Sequence, residues 1–411
     1  MNRVVVTGMG AITPIGNTIA EFWEGLQSGK NGVGSITKFD TTEYKAKLAA
    51  EVKNFDPSLY MEKSEIRKTD LYAQYGLAAA AQAVEDSGID GNIAPERLGV
   101  YFGSGIGGIE TFGSEMEKLL QKGPKRVSPF FIPMLISNIC AGLIAIKYKA
   151  KGSCLPMVTA CATSNNTIGE AFHAIKHGYA DAIIAGGSEA AIVPVGVAGF
   201  MNMMALSQSE DPLSACCPFD ARRSGFVMGE GAGALVLESY DHAVSRGAKI
   251  YGEVAGYGST CDAHHITAPD PTGESGAAAM RLALEEADMP GEERIYINAH
   301  GTSTPLNDKS ETNVIKLALG EELARKAIVS STKSMTGHML GAAGAIEAIA
   351  SLLVLQNKIV PPTIHYLVPD PECDLDYCPN TARKADIHLT LSNGLGFGGH
   401  NACVAFKRFL G

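Results

Sequence analysis

Short β-branched runs that end in glycine or serine recur along the chain, each followed by a segment with apolar residues at helical spacing. Val4–Thr7, Leu98–Phe102, Pro156–Thr159, Asp181–Ala185 and Ala234–Leu237 read as strands in the first part. After about residue 250 the pattern restarts with Glu253–Tyr257, Ile295–Asn298, Ile328–Ser331, Ile387–Ser392 and Cys403–Phe406. Strand–loop–helix alternation predicts an α/β fold. The restart suggests two halves of related design, although VVVTGMG and GEVAGYGSTCD share only an opening strand that runs into a glycine turn. No low-complexity tract or Pro/Ser linker separates them, so an extensive interface with one site between the halves is expected. The apolar run from Ile183 to Leu206 holds one charge, Glu189, but Pro194, Asn202 and its glycines argue against a membrane-spanning helix. It reads as buried strand, loop and packing segment.

Composition narrows the function classes. In 411 residues, 45% are hydrophobic, 19% are charged and 46 are glycine, which excludes a disordered chain and favours tight α/β packing. A net charge of −10 offers no long-range attraction to phosphate backbones or anionic lipid, so neither nucleic-acid binding nor membrane insertion is expected. Nine cysteines, an odd number without the framework of a small secreted scaffold, fit reduced thiols and a cytoplasmic protein. Cys373 and Cys378 lack a second Cys/His pair of finger spacing, so no metal site is expected there. Met1-Asn2-Arg3 followed by Val4-Val5-Val6 reads as the entry to a strand, with no export signal.

Two glycine loops invite a dinucleotide reading. Gly103-Ser104-Gly105-Ile106-Gly107-Gly108 follows a strand and fits G-x-G-x-x-G. Where a ribose-binding acid should follow, the chain reads Lys122-Gly123-Pro124-Lys125-Arg126, without one. Gly8-Met9-Gly10 fails at Thr13 and Pro14. A nicotinamide dehydrogenase is therefore not expected.

Catalytic chemistry concentrates in three segments. Val158-Thr159-Ala160-Cys161-Ala162-Thr163-Ser164 runs from strand into helix, with Thr163 or Ser164 as N-cap and Gly178 as terminator. A helix N-terminus favours a thiolate, so Cys161 is a candidate nucleophile; the alternative is a buried cysteine acting as a small hydrophobe. Asn298-Ala299-His300-Gly301-Thr302-Ser303-Thr304 and Ser331-Thr332-Lys333-Ser334-Met335-Thr336-Gly337-His338 each set a histidine just after a strand, where α/β proteins bind ligands.

With these segments in view, the chain resembles the β-ketoacyl-acyl-carrier-protein synthases, most closely the elongating type II. VVVTGMG, TACATS, FDARRSGFVMGEGAG, NAHGTST, SSTKSMTGHMLGAAGAIEA and SNGLGFGGHNA carry the resemblance over essentially the whole length. It implies a thiolase-like five-layered α-β-α-β-α fold built from two similar halves, residues 1–250 with the nucleophile and 251–411 with the two histidines and the gating loop. It further implies decarboxylative condensation of an acyl thioester, held on Cys161, with malonyl-acyl carrier protein in fatty-acid elongation, without metal or organic cofactor. Cys161, His300, His338 and Lys333 would be the catalytic residues, with an ion-paired lysine beside Glu347 as the plainer reading of Lys333. The backbone N–H groups of Cys161 and Phe397 would form the oxyanion hole, and Phe397 the gate. Ile106 and Phe200 would line the acyl pocket, and Thr302 and Thr304 would bind the pantetheine arm. Arg67, Lys68, Lys125 and Arg126 would dock the acyl carrier protein onto a homodimer. Met204 departs from the pattern, since relatives often carry Arg or Lys there. The alternatives are a polyketide ketosynthase with the same residues, a non-catalytic chain-length partner subunit, which would lack the nucleophile, and a cysteine hydrolase, which has no use for the second histidine.

Overall fold

The computed structural model describes residues 1–288 and 294–410. Ten strands form its main sheet: β1 (Val4–Ile12), β2 (Leu98–Gly103), β3 (Cys154–Leu155), β4 (Ala182–Glu189), β5 (Gly231–Ser239), β6 (Gly252–Cys261), β7 (Ile295–Asn298), β8 (Ile328–Ser330), β9 (Leu389–Gly396) and β10 (His400–Lys407). Their order across the sheet is β8-β7-β9-β10-β6-β1-β5-β4-β2-β3. Counted outward from the centre, both halves run first, fifth, fourth, second and third strand. Directions repeat as well: the inner pairings are antiparallel and the outer two parallel in each half. The halves join where Val4–Val6 pairs antiparallel with Gly252–Val254.

Five helices matter for the site: α1 (Leu71–Ser87), α2 (Thr163–Lys176), α3 (Glu274–Glu286), α4 (Pro305–Leu319) and α5 (Ala343–Asn357). Helix α1 covers the outer face of β1, β5 and β4, while α3 covers β6, β10 and β9 with α4 beside it. Between the two sheet halves lie α2 and α5, which touch each other and strands of both halves. The layers therefore alternate α-β-α-β-α, and a separate apolar core fills each side and the middle. Helix α5 is apolar nearly all round, Glu347 and Ser351 apart, because sheet covers both its sides. Among the described residues Leu340–Asn357 is the one helical stretch long and apolar enough to cross a membrane, and it is 89% buried.

The closest approach of helix to sheet depends on glycine. A Cβ at Gly8 or Gly10 would stand 2.1 or 2.0 Å from the carbonyl oxygens of Ala83 and Ala79 on α1. In the other half a Cβ at Gly256 or Gly258 would meet Ala283 and Ala279 on α3 at 2.1 and 1.9 Å. The weak likeness of VTGMG and VAGYG thus marks the same steric demand at the same place in both halves.

Two strand expectations need correction. Pro156–Thr159 is not a strand: pairing stops at Leu155, and the following residues turn into the Cys161 segment. Strand β9 starts at Leu389, later than expected, and extends to Gly396. The apolar run 183–206 divides into β4 and a helix over Pro194–Asn202, with proline in its first turn.

Candidate active site

Cys161 sits in a single 3-10 turn, Ala160–Ala162, that leads directly into α2. The N-cap of α2 is Ala162, in place of the expected Thr163 or Ser164. Thr163 is the first helical residue, and its hydroxyl folds back, accepting from the Thr159 N–H at 2.9 Å and donating to the Ala160 carbonyl at 2.8 Å. That clamp tightens the turn under Cys161. Cys161 is partly exposed through a cavity, yet the protein around its sulfur excludes most water. Burial pushes the thiol up to about 12, and the Lys333 cation and the Phe397 N–H pull part of the way back. The Cys161 thiol is therefore neutral at pH 7, not the thiolate expected from the helix terminus, because burial disfavours the charged form.

His300 follows β7, and its turn is held by a carboxylate. The His300 and Gly301 N–H groups donate to Glu311 on α4, each at 2.7 Å. His338 is held by main chain instead: its N–H donates to the Val227 carbonyl at 2.7 Å, and its carbonyl accepts from the Gly229 N–H at 2.8 Å. His338 Nδ1 accepts from the Leu340 N–H at 3.3 Å, which leaves the ring proton on Nε2. The two rings stand 5.3 Å apart at 88°. Phe226 abuts His338 edge to face at 5.3 Å. Burial, and then the nearby Lys333 cation, holds both imidazoles well below their usual value, so both are neutral at pH 7. Lys333 itself forms a fully buried ion pair with Glu347. The plainer reading of Lys333 is thus correct as far as its partner goes, and the pair still lies close enough to act on the sulfur and both rings.

Cys161, His300, His338, Phe200, Thr302, Thr304 and Phe397 all line one cavity of about 420 Å³. Phe397 and Phe200 approach within 6.5 Å there, and the two threonine hydroxyls bond each other at 2.9 Å. The structure does not bring Ile106 to this cavity; its side chain is 37% exposed. Arg67, Lys68, Lys125 and Arg126 lie exposed on the surface, with the Lys68 ammonium 5.2 Å from the Phe130 ring. Met204 stands at the mouth, 82% exposed.

Sequence reasoning missed Glu311, Phe226 and Glu189. The GSGIGG loop does precede a helix, Ile109–Lys122, but its N–H groups are occupied: those of Gly105 and Ile106 donate to Glu189 at 2.8 and 3.1 Å. A protein carboxylate fills the place a pyrophosphate would take. The signal was on the page, because a lone charge inside an apolar strand must find partners.

Comparison with known proteins agrees with this geometry. The chain matches the family model described as Beta-ketoacyl synthase, N-terminal domain, over residues 1–243, and that of the C-terminal domain over residues 251–367. A protein of Staphylococcus aureus (strain COL), 3-oxoacyl-[acyl-carrier-protein] synthase 2, is 52% identical over 408 residues, 99% of this chain and 98% of that one. Among solved structures, the ishigamide ketosynthase/chain length factor superposes with a TM-score of 0.93 at 35% identity, covering 99% of both chains. AntDE:AntF, a type II PKS acyl-carrier protein in complex with its ketosynthase bound to the hexaketide, gives a TM-score of 0.90 at 35% identity over 99% of both chains.

Proposed function

Because the chain belongs to the β-ketoacyl synthase family, we propose that it is an elongating condensing enzyme that joins an acyl thioester to malonyl-acyl carrier protein. The observation that carries this reading is the convergence of one thiol and two neutral imidazoles on a single cavity. In the first half-reaction the Cys161 sulfur attacks the acyl thioester carbonyl. The Cys161–acyl bond forms, the acyl–carrier bond breaks, and the thiol proton leaves with the carrier sulfur. The N–H groups of Cys161 and Phe397 are suited to hold the transient oxyanion.

In the second half-reaction malonyl loses carbon dioxide, and the electron pair left behind forms an enolate. His300 and His338 donate N–H bonds to its oxygen; their neutrality supports a donor role over that of cations. Enolate carbon then attacks the acyl-cysteine, releasing 3-oxoacyl-carrier, two carbons longer, and a thiolate that takes a proton from solvent. Two imidazole donors suffice, so the reaction as proposed asks for no metal or organic cofactor. Lys333 sets the local field, and Thr302 and Thr304 at the cavity wall are suited to the pantetheine arm.

Acyl carrier proteins are acidic, and Arg67, Lys68, Lys125 and Arg126 form the basic surface proposed to receive one, within the ~8 Å over which charge acts at physiological salt. Charge reversal at Arg126 should raise the carrier KM with little change in kcat. A homodimer is supported by the open outer edge of β3 and by exposed Leu155 and Val158 next to it. The matching strand order supports a division near residue 250 into a nucleophile half and a histidine half. Reduced thiols and the acidic surface suit a cytoplasmic location.

Polyketide chemistry is the second reading, favoured by the 35% identity to polyketide-type structures but less than the 52% to a 3-oxoacyl synthase. Mass spectrometry of carrier-bound products separates them, after incubation with acyl carriers of graded length and malonyl carrier. A product two carbons longer supports elongation; several unreduced additions to one chain favour the polyketide reading; free acid without malonyl dependence would indicate a hydrolase.

A further inference from the structure

Glu189 ends β4 and is completely buried, and among the described residues no cation is bonded to it. Its Oε1 accepts from the Ser104 hydroxyl at 2.9 Å and the Ile106 N–H at 3.1 Å; its Oε2 accepts from the Gly105 N–H at 2.8 Å and the Gly341 N–H at 3.0 Å. Burial pushes this carboxyl above the usual carboxylate range and the four donors pull it back; backbone N–H groups cannot accept a carboxyl proton, so the donor set fits a carboxylate. Ser104 is itself engaged, its oxygen accepting from the Gly107 N–H at 3.0 Å.

The two loops that meet on this carboxylate come from opposite halves of the chain. Gly341 lies three residues past His338, and Leu340, between them, supplies the N–H that sets the His338 tautomer. The Gly341 carbonyl also receives the Ser164 hydroxyl from the first turn of α2, next to the nucleophile. Space is closed on every side: a Cβ at Gly341 would stand 2.4 Å from the Gly105 nitrogen, and one at Gly105 would stand 2.7 Å from Glu189 Oε2 and 3.6 Å from the Ala160 carbonyl oxygen. The GSGIGG loop and the His338 loop therefore meet on one buried acid, with the Cys161 turn packed against the GSGIGG loop.

We propose that Glu189 is a positioning residue whose carboxylate ties the Ser104–Ile106 turn to the Gly341 peptide, so that Cys161 and His338 keep a fixed relation through both half-reactions. This inference rests on the condensing function proposed above. The negative charge also opposes ionisation of the Cys161 thiol, against the Lys333 cation. Other titratable groups that face the sulfur are Glu347, His300 and His338.

Two variants test it. Glu189→Gln keeps the shape but turns an amide N–H toward at least one backbone N–H and removes the charge. Glu189→Asp keeps the charge but is one methylene too short to span both loops. Each is compared with wild type by thermal melting, by iodoacetamide labelling of the Cys161 peptide across pH, and by condensation rate with acyl and malonyl carriers. Labelling of Glu189→Gln should shift toward lower pH, because the carboxylate that opposes thiol ionisation is gone, while Glu189→Asp should keep the wild-type profile. Condensation should fall about 100-fold in Glu189→Gln and about tenfold in Glu189→Asp, as expected of misplacement on the ångström scale. A folded Glu189→Gln with wild-type labelling or wild-type condensation overturns the proposal. Should that variant not fold, wild-type condensation by Glu189→Asp overturns it instead. Failure of the wild-type protein to condense would strike the functional reading, and the labelling shift would still decide the role of the carboxylate.

Discussion

His300 and His338 face the same cavity nearly at right angles, but the turns that carry them are secured by different means. Main-chain bonds to Val227 and Gly229 hold the His338 turn, and its Nδ1 is taken up by the Leu340 N–H. The His300 turn hangs on the Glu311 side chain, and among the described residues its Nδ1 has no partner. The contrast teaches that His338 is built as a fixed Nε2–H donor, whereas the His300 ring is free to carry its proton on either nitrogen. Equal distance from the reacting atoms would not make them equivalent.

The largest expected effect breaks the comparison at His338. Removing one preorganised donor costs about 10²–10³ in rate, so His338→Ala should collapse malonyl decarboxylation by that factor while acyl transfer to Cys161 persists. Equal loss of both half-reactions, assayed separately, would contradict a donor role. Next comes the support of the other turn. Glu311→Gln leaves one of two buried N–H groups poorly matched, which should cost about 1–3 kcal/mol by urea unfolding and lower condensation as well. An unchanged midpoint would mean that the His300 turn holds itself.

Acid titration compares the rings directly. Both imidazoles are held neutral well below 6.5, so the folded chain does not take up protons that unfolded histidines bind as pH falls through that value. Each therefore contributes stability that is present above pH 6.5 and is lost below it, at about 1.4 kcal/mol per pH unit. His338→Gln and His300→Gln should each flatten the loss between pH 6.5 and 5.5 by about 1 kcal/mol, since the unfolded histidine is only half protonated at the upper end. A difference between the two variants would show one ring to be charged. The smallest effect is expected at Phe226, whose ring meets both His338 and Phe200 edge to face, at 5.3 and 5.4 Å. Phe226→Leu should cost about 0.5–1.5 kcal/mol and change decarboxylation more than acyl transfer.

Most strands were legible because a strand buried on both faces reads as a short, largely apolar run, as at Val4, Leu98, Ile295 and Cys403. The exception at Pro156–Thr159 has a local cause: the Thr159 N–H is taken by the Thr163 hydroxyl, so no strand partner can use it. Cys161, His300, His338 and Lys333 stood out as residue types in glycine- and hydroxyl-rich loops at strand ends. Ile106, matched to the acyl pocket by motif, does not line the Cys161 cavity of the single chain, and its N–H serves a buried acid. Glu311 was hidden because its partners are mostly backbone N–H groups, and backbone donors are the same in every sequence; Glu189 stood out as a lone charge in an apolar strand, but not the distant loops that satisfy it.

Read without coordinates, the chain determines its α/β layering, its internal repeat and its reactive side chains, because these follow from short-range periodicity and residue chemistry. Only tertiary structure decided that the thiol rests protonated, that the imidazoles are neutral, that His338 presents Nε2–H, and that a G-x-G-x-x-G loop is filled by Glu189. Those outcomes depend on the local dielectric and on which distant donor reaches which acceptor, and both are set only when segments far apart in the chain are packed together.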